Sequence, residues 1–127
     1  MAEETDWDEL RALAQYVLDR DTSLELSDDT RALLTRTALQ VAIHPRDAHA
    51  ALSDSSRAAT LLQEIRQRIR QGGIRYGDAL DRAYRLRDQG DIDGARQQMK
   101  EVLSVEVVPF YREQAEMALE DMDAGTF

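Results

Sequence analysis

The residues whose types could do chemistry are few. His44 and His49 flank Asp47 and are the two imidazoles of the chain. A metal site needs rings that converge, and a five-residue step across a turn opened by Pro45 does not put both on one helical face. They read as surface groups, and neither has a serine nucleophile beside it in sequence. The acidic pairs Asp6/Glu9 and Asp28/Asp29 have the right type for general acid–base work. They fall, however, where helix N-termini attract negative charge, so capping accounts for them better. Gly72-Gly73 is followed by no Lys-Ser/Thr and preceded by no strand, which a phosphate loop requires. Asp88, Asp91, Asp93 and Gly94 approach a calcium loop in composition, but the ligand spacing fails and Lys100 stands near the place of the closing glutamate. A structural turn is expected there. With no cysteine, thiol catalysis, thiolate metal sites and disulfides are excluded. The expectation is a non-enzymatic chain without metal or cofactor.

What remains is a set of arginines. Arg66, Arg68, Arg70, Arg75, Arg82, Arg85 and Arg87 interleave with Tyr76 and Tyr84, residue types used on phosphates and bases. The net charge of −9 is unevenly spread: residues 1–56 carry five Arg against twelve Asp/Glu, residues 57–100 ten Arg/Lys against six, and residues 101–127 one against seven. Either the segments neutralise one another on folding, or segment 57–100 offers a basic patch to an anionic partner. The acid outside that segment argues against nucleic acid and anionic lipid, and for a basic partner.

The elements that must position these groups are helical. A hydrophobic share of 43% over 127 residues suits one domain, 1–127, with N-terminal helices over 6–71 and a hairpin with a final helix over 74–122. Asp6 and Glu9 can form a capping box for a helix over about Trp7–Asp19, and Ser27 can cap a second with a stripe of Leu33, Leu34, Thr37, Ala38 and Val41. Leu24 and Leu26 can pin the intervening segment to the core. Pro45 suits the first turn of a short third helix that ends by Ser53. Asp54 or Ser53 restarts the chain into a helix with Ala58, Leu61, Leu62, Ile65 and Ile69 on one side, and Gly72 is expected to end it in a left-handed conformation. A further helix closes at Gly90, Asp91 caps the next, Pro109 starts the last, and residues 123–127 are expected to fray.

The longest apolar runs, Ala48–Leu52 and Val107–Tyr111, are far short of the roughly 20 residues a membrane span needs. The opening Met-Ala-Glu-Glu-Thr-Asp is the reverse of an export signal. A cytoplasmic location and no membrane partner are expected.

Two resemblances add to this reading. From Ala79 to Val107 the spacing of Ala83, Leu86, Gly90, Asp91, Ala95, Met99 and Val102 resembles one tetratricopeptide hairpin. Over nearly its full length the chain also resembles the bacterial DUSAM family, whose function is unknown. That likeness is carried by Asp6–Ala14, Asp29–Leu34, Leu61–Arg66, Tyr84–Asp88, Gly94–Met99 and Val105–Pro109. It implies a bacterial, cytoplasmic helical domain and brings no functional residues with it.

The expected fold is therefore all-α, a compact bundle of five to seven helices ending in a tetratricopeptide-like hairpin plus one packing helix. The expected function is a protein-interaction or adaptor module, monomeric or homodimeric. The tetratricopeptide likeness implies that Leu80, Tyr84 and Arg87 face a groove; the alternative assigns Leu80 and Tyr84 to the core and Arg87 to solvent. The Arg66/Arg70 face is the second candidate. Two other classes stay open: an inhibitor or immunity-type protein binding a basic partner, and nucleic-acid binding through residues 57–100.

Overall fold

The computed structural model describes residues 6–127, and among these it contains six α-helices, one π-helical turn and no strand. In chain order they are α1 (Asp8–Ala14), the π turn (Gln15–Asp19), α2 (Asp28–Gln40), α3 (Pro45–Ala51), α4 (Ser55–Asp88), α5 (Ile92–Val105) and α6 (Pro109–Ala124). The chain divides into two compact units, Met1–Ile69 and Arg70–Phe127, with the boundary inside α4.

In the first unit, side chains set the helix starts. Ser27 Oγ accepts from Thr30 N–H (3.2 Å), His44 Nδ1 from Arg46 N–H (3.0 Å) and Asp54 Oδ1 from Arg57 N–H (2.8 Å), so each begins a helix as a cap should. Asp6 accepts from Asp8 N–H (2.9 Å), although Trp7 takes the capping position of α1. The Trp7 ring is buried, and its Nε1 donates to Gln40 of α2 (3.0 Å). The last turn of the first helix widens: Arg20 N–H donates to Gln15 O (3.2 Å), a π-type bond. Of the α2 stripe Leu34, Thr37, Ala38 and Val41 are buried and Leu33 half-buried, the periodic positions of the first half of α4 are buried as their spacing predicts, and Leu24 is buried in the segment between helices. Ala42, at φ 65°, ends α2 in a left-handed turn, and Arg68 Nη1 binds the carbonyls of Val41 (3.0 Å) and Ala42 (3.2 Å).

The second unit overturns two expectations. Gly72 does not end a helix; α4 runs through it to Asp88. The glycine is needed for close approach instead. A Cβ at position 72 would lie 2.6 Å from Tyr111 Cε2 and 3.1 Å from Glu106 Oε1. The next stop signal does hold. Gly90 has φ 82°, with Asp91 N–H donating to Leu86 O (2.8 Å) and Gly90 N–H to Arg87 O (2.9 Å), and Asp91 Oδ1 then accepts from Gly94 N–H (2.8 Å) to start α5.

The core of this unit joins Ala79 and Ala83 of α4, Ala95, Met99 and Val102 of α5, and Ala115, Ala118 and Met122 of α6. Between α5 and α6 the Glu106 carboxylate, 1% exposed, accepts from Arg75 (2.6 Å) and from the N–H groups of Val107 (3.2 Å) and Val108 (3.0 Å). Arg112 Nη1 donates to the carbonyls of Leu103 (2.7 Å) and Glu106 (2.9 Å). A buried charge is tolerated when so many of its bonds are made. The expected fraying after Met122 is also corrected. Helix α6 continues to Ala124, Gly125 turns it at φ 76°, and Thr126 N–H donates to Asp121 O (2.8 Å).

Candidate functional site

Leu80, Tyr84 and Arg87 fall on one face of α4, at the spacing that places helical residues above one another. Their surroundings differ. Leu80 is half-buried and packs on the alanine and methionine cluster, whereas Tyr84 keeps 41% of its surface exposed. The Phe127 ring lies on Tyr84, centroids 4.8 Å apart and 10° from parallel. The Arg87 guanidinium sits 4.8 Å from the Tyr84 centroid and 5.7 Å from that of Phe127. Arg87 Nη2 also binds Asp88 Oδ1 (2.8 Å), which fixes the plane of the fork. A stacked aromatic pair contributes about 0.5–1.5 kcal/mol and an exposed cation–π contact about 0.5–1 kcal/mol. Such a stack is stiff enough to present a defined surface and polar enough to stay at the boundary with water. Tyr76, packed nearby on the same cluster, has its hydroxyl pKa raised by burial and then by Tyr84, so it is neutral at physiological pH.

The other candidate face is differently occupied. Arg66 Nη1 contacts both carboxylate oxygens of Asp19 (3.0 Å each) and is largely covered, while Arg70 is exposed and has no ion pair among the described residues. Most of the basic segment is engaged within the chain. Arg75 pairs with Glu106, Arg85 with Asp81, and Arg96 with both Asp93 (2.7 Å) and Asp123 (3.0 Å), while Arg82 donates to Gln98 (2.7 Å). Three of these ties, Arg66 to Asp19, Arg75 to Glu106 and Arg96 to Asp123, join the basic middle to the acidic flanks. Internal neutralisation is therefore the dominant use of the charge asymmetry.

The first unit holds a cleft of about 520 Å³ over Ile43, Ala50, Ala51 and Leu61, rimmed by Asp47, Arg57, Glu64 and Arg68. Three of its four rim charges are paired: Arg68 binds Glu64 (2.8 Å) and Arg57 binds Asp54 (3.5 Å). A smaller hollow of about 310 Å³ lies beside Leu18, Ser23, Ser55 and Ser56. His44 and His49 are both exposed, on opposite ends of α3. Among the described residues no group of three or more His, Asp or Glu converges as a metal site, and no helix is long and apolar enough to cross a membrane.

Sequence reasoning missed Phe127 and Glu106. The signal for Phe127 was present, since a glycine just past a helix is the usual way to turn the chain back on it. Glu106 gave no local signal, because its partner Arg75 lies on another helix.

Fold and site together define a small all-helical domain with an exposed aromatic–guanidinium stack. The model of the DUF2379 family, proteins of unknown function, matches residues 5–122, and the chain belongs to this family. No curated protein and no solved structure matches it.

Proposed function

We propose that this chain is a non-enzymatic protein-interaction module, cytoplasmic and monomeric or homodimeric, whose protein partner docks on the Leu80–Tyr84–Arg87 face. The observation that supports this reading is the Arg87–Tyr84–Phe127 stack, which sets a rigid aromatic and a fixed guanidinium side by side at the surface. Tyr and Arg are the residue types that carry most binding energy at protein interfaces. The tetratricopeptide-like spacing of residues 79–107 supports it, since that likeness implies that Leu80, Tyr84 and Arg87 face a groove.

A second reading, an inhibitor or immunity-type protein with a basic partner, is favoured by one observation. Glu113, Glu116 and Glu120 are exposed at helical spacing along α6, in a chain of net charge −9. Nucleic-acid binding loses support because the arginines that would carry it are mostly paired.

The experiment is affinity capture from the native cell followed by reconstitution with the recovered protein. Tyr84→Ala with Arg87→Ala should abolish reconstituted binding while circular dichroism and melting stay close to the parent. Binding retained by the folded double variant rejects the docking face. Loss instead on Glu113→Gln with Glu116→Gln and Glu120→Gln would establish the second reading.

A further inference from the structure

We infer that the Tyr84–Arg87 face is a receptor for a short acidic–aromatic segment, and that residues 123–127 of the chain occupy it in cis. The inference rests on the interaction-module reading and gives its partner a chemistry.

Three contacts carry it. Asp123 Oδ1 accepts from Arg96 Nε of α5 (3.0 Å). Gly125, at φ 76°, reverses the chain past α6, a conformation that costs glycine nothing, and Thr126 N–H closes the turn on Asp121 O (2.8 Å). Phe127 then lies flat on Tyr84, within reach of the Arg87 guanidinium. The segment thus sets an acid, and an aromatic ring four residues later, against a cation from α5 and an aromatic–cation pair from α4. Charge matches at one point along it, Asp123 on Arg96, and the Phe127 ring lies within reach of the second cation, Arg87.

The occupant is held at two points and is otherwise open. Ala124, Gly125 and Thr126 are exposed, and Phe127 is half-buried. The main cluster of the unit, with Ala83, Met99 and Met122 buried, leaves Tyr84 41% exposed even with Phe127 in place. An intermolecular segment bearing the same acid and the same ring at the same spacing meets the same groups and must displace both Phe127 from Tyr84 and Asp123, in the last turn of α6, from Arg96 to do so. Self-occupancy of this kind lowers apparent affinity by the fraction of time the face is covered.

The test uses the full chain and an acetylated, amidated peptide of residues 121–127, Asp-Met-Asp-Ala-Gly-Thr-Phe. By titration calorimetry, the full chain carrying Asp123→Asn with Phe127→Ala, which frees Arg96 as well as Tyr84, should bind this peptide at least about ten times more tightly than the parent, the factor by which a mostly covered face is released. Peptides carrying Asp123→Asn or Phe127→Ala should lose binding, and so should the receptor on adding Tyr84→Ala and Arg87→Ala. Circular dichroism and melting establish that this receptor is folded; if it is not, displacement is read on the parent chain, by loss of the ring-current shifts of Tyr84 and Phe127 as the peptide is added. Equal affinity for parent and variant overturns the cis occupancy. No binding to the folded variant overturns the acidic–aromatic chemistry. If the peptide fails but the double variant still loses the captured partner, the docking face stands and only this ligand class is rejected. If the peptide binds but the captured partner ignores the double variant, the docking reading fails instead.

Discussion

Residues 6–69 bury leucine, isoleucine and a tryptophan, whereas the core of residues 70–127 is built largely from alanine and methionine. Leu10, Leu34, Leu62 and Ile65 are fully covered in the first unit; in the second the corresponding work falls to Ala79, Ala83, Ala95, Ala115 and Ala118, with Met99 and Met122 filling the gaps. Large side chains bury more apolar area each, at roughly 25 cal/mol per Å². Small ones let helix backbones approach, and the bulky residues that the core then excludes are left at the rim. Of the seven large hydrophobics that stay exposed among the described residues, five lie in the second unit: Ile74, Tyr84, Val105, Val107 and Met117. An alanine core thus gives up burial and leaves bulky apolar side chains at the surface.

Three substitutions break or sharpen this contrast. The largest effect belongs to Trp7→Ala, which empties a buried site and strands Gln40, and should cost about 3–5 kcal/mol in denaturant unfolding. Amide exchange should locate the loss in α1 and α2, and a cost under about 1 kcal/mol would remove the distinction between a large-residue core and a small-residue one. Next is Gly72→Ala. Alanine is the better helix former by about 1 kcal/mol, yet its methyl would strike Tyr111 and crowd Glu106, so overpacking should win and destabilise the chain by about 1–3 kcal/mol. A gain in stability would mean that the close approach is not what glycine serves there. The smallest effect, and of opposite sign, is Gly77→Ala. No atom lies within 4 Å of its added methyl, so only helix propensity acts and the melting temperature should rise, by about 0.5–1 kcal/mol of added stability.

Local chemistry was legible in the sequence and distant chemistry was not. Ser27, Asp54, Asp91, Pro45 and Pro109 act within a turn of themselves, and each starts the helix its type predicts. The stripe from Ala58 to Ile69 was legible for the same reason, since a helix converts spacing directly into a face. Gly72 was misread because glycine answers two different needs, a positive φ and room for a neighbour. Only the position of Tyr111, 39 residues on in the chain, separates them. At the candidate site Leu80, Tyr84 and Arg87 were singled out by the tetratricopeptide likeness, and their helical spacing puts them on one face. The ring that covers it was not legible, because Phe127 reaches Tyr84 only after α5, α6 and the Gly125 turn are in place.

The placement of Trp7 has an optical consequence. It is the single tryptophan in the chain, sealed from water with its indole N–H bound to Gln40. Emission excited at the red edge of the absorption band therefore follows the seating of α1 on α2. A melt read this way signals an intact protein for as long as that contact holds, whether or not Phe127 still lies on Tyr84. The aromatic stack has its own signature, since two rings 4.8 Å apart and nearly parallel shield each other's protons. Upfield-shifted aromatic resonances, rather than fluorescence, are the signal that shows whether the face is covered or open.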